Sequence, residues 1–186
     1  MLIIGITGTL GAGKGTIVQF LTGNLHFEHY SVRSFVSAEI IKRGLPVNRD
    51  NMVLVANELR NQHTSSYIID ELFEQAKHKG KHSVIESIRT PGEVESLRSK
   101  GHFFLFAVDA DPYIRYERIV LRNSETDKIS FSTFIENEQR EYSSEDPNKQ
   151  NLKKCMEMAD FRFVNNGSIA ELHNHVQQVI DKIIER

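Results

Sequence analysis

Residues 1–7, MLIIGIT, run straight into residues 8–16, GTLGAGKGT. The first stretch is apolar and of strand length; the second holds four glycines and a single cation, Lys14. Helical patterning begins immediately behind it and runs to about Leu21, with Gly23 expected to stop the helix. Strand, glycine loop and helix in that order read as a phosphate cradle. Glycines let main-chain N–H groups approach a ligand closely, and the following helix points the positive end of its dipole at the same place. Lys14 then reaches the β- and γ-phosphates of a nucleotide. Gly8, Thr9, Gly11, Ala12, Gly13, Lys14, Gly15 and Thr16 are the candidate binding residues. An idle glycine-rich turn would need neither the lysine nor the threonine at these offsets. The order departs from G-x-x-x-x-G-K-[ST], because Gly15 follows Lys14 and the hydroxyl comes one residue later, at Thr16.

Outward from the loop, strand-length apolar runs alternate with helix-length periodic segments, which predicts β-α-β units around a parallel sheet. The expected strands are Leu2–Thr7, Phe27–Ser31, Ser83–Ser87, His102–Val108 and Asp160–Val164. Their near-continuous apolar character suits strands covered by helices on both faces. Asp50 is the expected cap of NMVLVANELR, and Ser65 or Ser66 of YIIDELFEQAKHK, which ends at Gly80. Pro91 sits in a first turn, and Asp111 with Pro112 marks a clear helix start. The last helix follows Ser168, with Leu172, Val176, Val179, Ile180 and Ile183 on its apolar stripe. Residues 33–80 hold about three helices in a row, and 123–130, NSETDKIS, read as a polar connection.

Composition narrows the function classes. The chain has 186 residues, 39% hydrophobic and 26% charged, with a formal net charge of −2. One domain accounts for that length, and no broad electrostatic grip on nucleic acid is indicated. The lone cysteine, Cys155, has no intramolecular disulfide partner, and no Cys/His cluster suggests zinc. His173 and His175 are two apart on a helix and do not share a face. No apolar run approaches the roughly 18 residues of a membrane span, and the N-terminus reads as a strand rather than a signal sequence. A cytoplasmic monomer or small homo-oligomer, with no membrane partner, is the expectation.

Two further clusters carry chemistry. SVIESIR, 83–89, ends a strand with Glu86 and Arg89. A carboxylate at that place holds Mg²⁺ or its waters, with Thr16 as the other metal-side residue, and an arginine three residues on grips an acceptor phosphate. A surface ion pair is the plain alternative. In IRYERIVLR, Arg115, Arg118 and Arg122 share one helix face. They either surround an anion or form a solvated face balanced by Glu117 and Asp111.

With GKGT, SVIESIR and the arginine helix together, the chain resembles the nucleoside-monophosphate-kinase-like branch of P-loop kinases over nearly its whole length. KRGLPVNRDNMVLVANELR is similar to the acceptor region of an archaeal group of adenylate-kinase-related proteins, and ADFRFVNNGSIAEL to the tail of dephospho-coenzyme A kinase. The resemblance implies a P-loop NTP hydrolase fold, α/β, with a five-stranded parallel sheet flanked by helices. It further implies one domain over 1–186, a helical acceptor-binding insertion at 31–80 and a short lid at 122–142. By the same resemblance Arg118 packs on adenine, Arg122 meets the phosphates, Arg140 swings in from the far side of the lid, and the loop in FVNNGSIAEL, 163–172, borders the adenine. Lys14, Arg89, Arg122 and Arg140 become the catalytic candidates, Thr16 and Glu86 the metal candidates, and ATP with Mg²⁺ the cofactors. Where relatives place an aspartate and then an arginine on the first acceptor helix, this chain has Ser34 and Ser37, with Arg33 one position earlier. Asn57 and Arg60 either face the acceptor or form plain helix surface. The implied activity is transfer of the γ-phosphate of ATP to a nucleoside or deoxynucleoside monophosphate. The alternatives are a dephospho-coenzyme A kinase-like enzyme, or a nucleotide-binding regulator or slow ATPase without a productive acceptor site.

Overall fold

A computed structural model describes residues 1–122 and 129–185. Strands β1 (Ile3–Gly8), β2 (Glu28–Ser31), β3 (Ser83–Glu86), β4 (Phe103–Asp109) and β5 (Phe161–Val164) form one sheet in the order β2-β3-β1-β4-β5. Every pairing is parallel. The strand that opens the chain therefore lies in the middle, and all six of its residues are buried. Side chains alternate across a strand, so Ile3 joins the core on one face while Ile4 and Ile6 join the core on the other.

The first face is covered by α2 (Val32–Lys42), α3 (Arg49–Gln62), α4 (Tyr67–Lys79), α5 (Pro91–Ser99) and the short α8 (Leu152–Glu157), through residues such as Val36, Val55, Ile69, Val94 and Cys155. The second is covered by α1 (Lys14–Leu25) and α9 (Ile169–Ile184), through Ile17, Leu21, Val176 and Ile180. Two more helices, α6 (Pro112–Arg122) and α7 (Phe131–Tyr142), flank residues 123–128, which lie outside the described residues. Tyr113, Tyr116, Phe131 and Phe134 bind α6 to α7 as a run of ring contacts. Among the described residues, no helix is long and apolar enough to cross a membrane.

Several boundaries differ from those expected. Gly23 does not stop α1, which continues to Leu25 and ends where His26 takes a left-handed conformation (φ 57°) and donates its N–H to Leu21 O. Asp50 is not the cap of α3. Asn48 is, its side chain accepting from Asn51 N at 2.9 Å, and Asp50 falls in the first turn. Ser66 stands at the start of α4 but its hydroxyl donates to Asp70 Oδ2 at 2.7 Å instead of capping the backbone. The other start signals act as expected. Thr90 with Glu93 and Ser168 with Glu171 form reciprocal capping boxes, and Asp111 accepts from Tyr113 N. Helices α7 and α8 had no sequence expectation of their own.

Candidate active site

The strand ends of β1 and β3 open on a cavity of about 620 Å³. One end is the glycine loop between β1 and α1. Gly11 (φ 80°) turns against Arg115 O, which a Cβ would approach within 2.5 Å, and Gly13 (φ 107°) packs against the Asn165 amide where a side chain would collide. Both positions need glycine for conformation and for space. Gly11, Gly13, Lys14, Gly15 and Thr16 line the cavity. Gly8, Thr9 and Ala12 shape the loop from behind: the Thr9 hydroxyl donates to Asp109 Oδ1 at 2.5 Å, and Ala12 O accepts from Asn165 Nδ2 at 2.8 Å. Asn165, which also lines the cavity, lies in the loop expected to border an adenine.

Lys14 Nζ folds back to donate to Gly8 O and Thr9 O, each at 2.8 Å. Burial pulls this ammonium down from its ordinary 10.5 to about 7, and the Arg89 guanidinium adds to the shift against the opposing pull of Glu86 and Glu141. A group held in that way gains most from an anion placed beside it.

Glu86 lines the cavity at the end of β3. Its Oε1 accepts from Ser31 Oγ at 3.1 Å and lies 3.5 Å from His29 Nε2. Burial would raise its carboxyl, but His29, Ser31 and Lys14 together outweigh that and hold it below the usual carboxylate range. It is therefore an ionised carboxylate at pH 7. Next to it Ser87 adopts φ 70°, an uncommon conformation for a side-chain-bearing residue. Among the described residues no group of three or more His, Cys, Asp or Glu could hold a metal by itself. A lone carboxylate and a hydroxyl, Thr16, lining the same cavity fit Mg²⁺, which keeps waters and takes its remaining ligands from substrate phosphates.

Another part of the cavity wall is cationic. Arg33, Arg49, Arg60 and Arg89 line it with Val32, Val36, Met52, Val53 and Ala56. Arg89 Nη1 donates to Gln150 Oε1 and to Glu141 Oε2, both at 3.0 Å, and Arg49 Nη2 donates to Glu141 Oε1 at 2.6 Å. Arg60 is neither plain surface nor a free grip: its side chain is 1% exposed and paired with the fully buried Glu93 at 2.8 Å. Glu93 in turn accepts from the backbone N–H of Arg89 and of Thr90, so the buried pair holds the turn that presents Arg89. Ser34 is exposed, and the Ser37 hydroxyl faces Met52 Sδ at 3.5 Å.

The arginines of α6 divide. Arg118 and Arg122 line the cavity, and Arg118 Nη1 is buried with no hydrogen-bond partner among the described residues. Arg115 is not on that face of the cavity. It is buried, bound through both nitrogens to the Glu138 carboxylate, and donates to Ala110 O at 2.8 Å and Leu10 O at 3.3 Å. Its balancing carboxylate is thus on α7, not Glu117 or Asp111. Arg140 also lies away from the cavity, half exposed, bonded to Asn137 and 3.7 Å from Asp50. The inward residue is its neighbour, Glu141. Sequence reasoning missed Arg49 and Glu141 because 92 residues separate them. One local signal existed: Glu141 lies seven residues after Phe134, on the buried stripe of α7.

The sequence pattern described as "AAA domain" matches residues 4–144. The chain belongs to that family, and with it to the UPF0200 proteins. A UPF0200 protein of Methanococcus vannielii is 31% identical over 188 residues, covering 99% of this chain and 97% of its own. Among solved structures, a gluconokinase from Sinorhizobium meliloti superposes with a TM-score of 0.59 at 11% identity, over 99% of this chain and 94% of its own. A shikimate kinase from Aquifex aeolicus gives 0.55 at 14%, over 97% of each chain. The family and these neighbours establish a P-loop kinase-like fold.

Proposed function

We propose that this UPF0200 protein is an ATP-dependent phosphotransferase that moves the γ-phosphate of Mg-ATP to a small phosphorylated acceptor of the nucleoside monophosphate class. One observation carries the reading. One cavity is lined both by the glycine loop with Lys14 and by Arg33, Arg49 and Arg89, so a donor triphosphate and an anionic acceptor have places in one enclosure. Solved neighbours named as kinases support it at the level of fold.

On this reading the loop amides and Lys14 bind the triphosphate, and Arg118 and Arg122 approach it from α6. Glu86 and Thr16 would hold Mg²⁺, which would supply charge neutralisation for the transferring phosphoryl group. Arg89 receives the acceptor phosphate, presented by the buried Arg60–Glu93 pair. Residues 31–80 form the acceptor side and 122–142 the lid, whose 123–128 portion lies outside the described residues. Phosphoryl transfer leaves little covalent work to the protein, so positioning and charge neutralisation suffice and no nucleophile is required. Arg140 has no part in this arrangement.

The second reading, a nucleotide-binding regulator or slow ATPase, draws on Ser34 and Ser37 standing where relatives carry acceptor-binding groups. Arg33 and Arg49 on the cavity wall favour the enzyme. The deciding experiment measures ADP release from Mg-ATP, alone and with each NMP, each dNMP and dephospho-coenzyme A. Strong stimulation by one acceptor, with its phosphorylated product detected, is the expected result. A slow rate that no acceptor raises overturns the kinase assignment in favour of the regulator.

A further inference from the structure

Arg49 and Arg89 reach the cavity from different elements, and one carboxylate spans them. Glu141 gives one oxygen to each guanidinium, at 2.6 and 3.0 Å. Two guanidiniums sharing the oxygens of one anion is the arrangement arginines make around a phosphate. Here the anion belongs to the protein's own helix α7, and its side chain is 8% exposed. The trio carries two positive charges against one negative. Arg49 Nε is also buried with no hydrogen-bond partner among the described residues, so the site has a donor that Glu141 leaves unused.

The same helix is fastened on the donor side, one turn earlier. Glu138 binds Arg115, and Arg115 donates to Leu10 O in the glycine loop. Residues three apart on a helix share a face, so α7 presents both carboxylates on one side, Glu141 to the cavity arginines and Glu138 to Arg115.

We propose that Glu141 occupies the place of the acceptor's phosphate in the ligand-free protein. A phosphomonoester dianion takes Arg49 and Arg89 over from it, and the exchange loosens the carboxyl end of α7. This rests on the reading of Arg89 as an acceptor residue and deepens it, adding Arg49 as a second phosphate contact and Glu141 as their competitor. A dianion with three oxygens displaces a monoanion with two because both guanidiniums gain charge-assisted hydrogen bonds. Glu138 keeps its hold on Arg115, so the movement is confined to the last turn of α7. Arrival of the acceptor is thereby felt on the arm that leads back from the lid.

Calorimetric titration of inorganic phosphate into the full chain tests this, using the wild type, Glu141→Gln, Arg49→Ala and Arg89→Ala. Glu141→Gln is expected to bind phosphate about tenfold more tightly than the wild type, and each arginine variant about tenfold more weakly. Amide hydrogens of residues 137–142 should exchange faster in the wild type once phosphate is bound. Unchanged or weaker phosphate binding by a folded Glu141→Gln, or unaltered exchange, overturns the proposal and leaves Glu141 a fixed support. Should Glu141→Gln fail to fold, Glu141→Asp, too short to bridge both guanidiniums, makes the same test. Phosphate binding indifferent to Arg89→Ala is a different failure, since it removes the acceptor reading itself.

Discussion

At the donor end of the cavity, Gly11, Gly13, Lys14, Gly15 and Thr16 come from one loop and the first turn of the helix behind it. On the wall proposed for the acceptor, Arg33, Arg49, Arg89 and Glu141 come from α2, α3, the turn after β3 and α7. The first end works largely through backbone, so a short local pattern suffices to build it. The second works through long side chains, which must be held by partners from elsewhere in the fold. Arg89 depends on Gln150, on Glu141, and on the buried Arg60–Glu93 pair beneath it. Charge at one end is anchored by the main chain; at the other it is anchored by other charges.

That contrast can be broken in five ways. The largest effect is expected from Glu93→Ala. It leaves the Arg60 guanidinium buried and unpaired, which costs about 3–5 kcal/mol, read as the loss of unfolding free energy in urea. A loss below about 1 kcal/mol would mean that the acceptor end does not rest on this pair. Lys14→Ala should lower turnover by about 10²–10³-fold while the melting curve stays near that of the wild type; unchanged turnover would remove the phosphate cradle from the donor end. Gly13→Ala places a side chain at φ 107° against Asn165. It should cost at least about 1–2 kcal/mol and abolish nucleotide binding measured by calorimetry.

The fourth prediction concerns pH. Free Lys14 loses its proton near 7, whereas a bound polyphosphate holds the ammonium charged. Binding therefore takes up a proton above that pH, and nucleotide affinity should fall by up to about tenfold per pH unit from 7 upward. Calorimetry in two buffers of different ionisation enthalpy reads the proton directly. Stability of the free protein moves the other way. Between about 7 and 10.5 the unfolded chain holds the proton more tightly than the folded one, so this group makes unfolding harder as pH rises. Affinity that does not vary from pH 7 to 9 would show that the lysine is not the group in contact with phosphate. The smallest effect is expected for Gly15→Ala. Nothing lies within 4 Å of the added carbon, and the helix should gain up to about 1 kcal/mol, seen as a slightly raised melting temperature.

The sequence made the sheet legible because each strand is a short apolar run and each run is followed by a start signal. Thr90 with Pro91, Asp111 with Pro112, and Ser168 with Glu171 all act within one turn of themselves. The errors were local signals overruled by packing. Gly23 looked like a stop, but α1 is held against the sheet on its buried side, so the helix runs two residues further. Asp50 looked like a cap, yet Asn48 reaches Asn51 N first. Arg140, expected to swing in from the far side of the lid, lies outside the cavity, and the residue of α7 that lines it is Glu141.

What the sequence determined by itself is the phosphate loop, the parallel sheet on which it sits, and the carboxylate and arginine at the end of β3. Each depends on residues within hydrogen-bonding reach along the chain. The tertiary structure decided which charges meet. Arg115 went to Glu138, Arg60 to Glu93, and Arg49 with Arg89 to Glu141, over separations of 23, 33, 92 and 52 residues. No spacing rule reaches that far, because a guanidinium selects whichever carboxylate the folded backbone brings within about 3 Å.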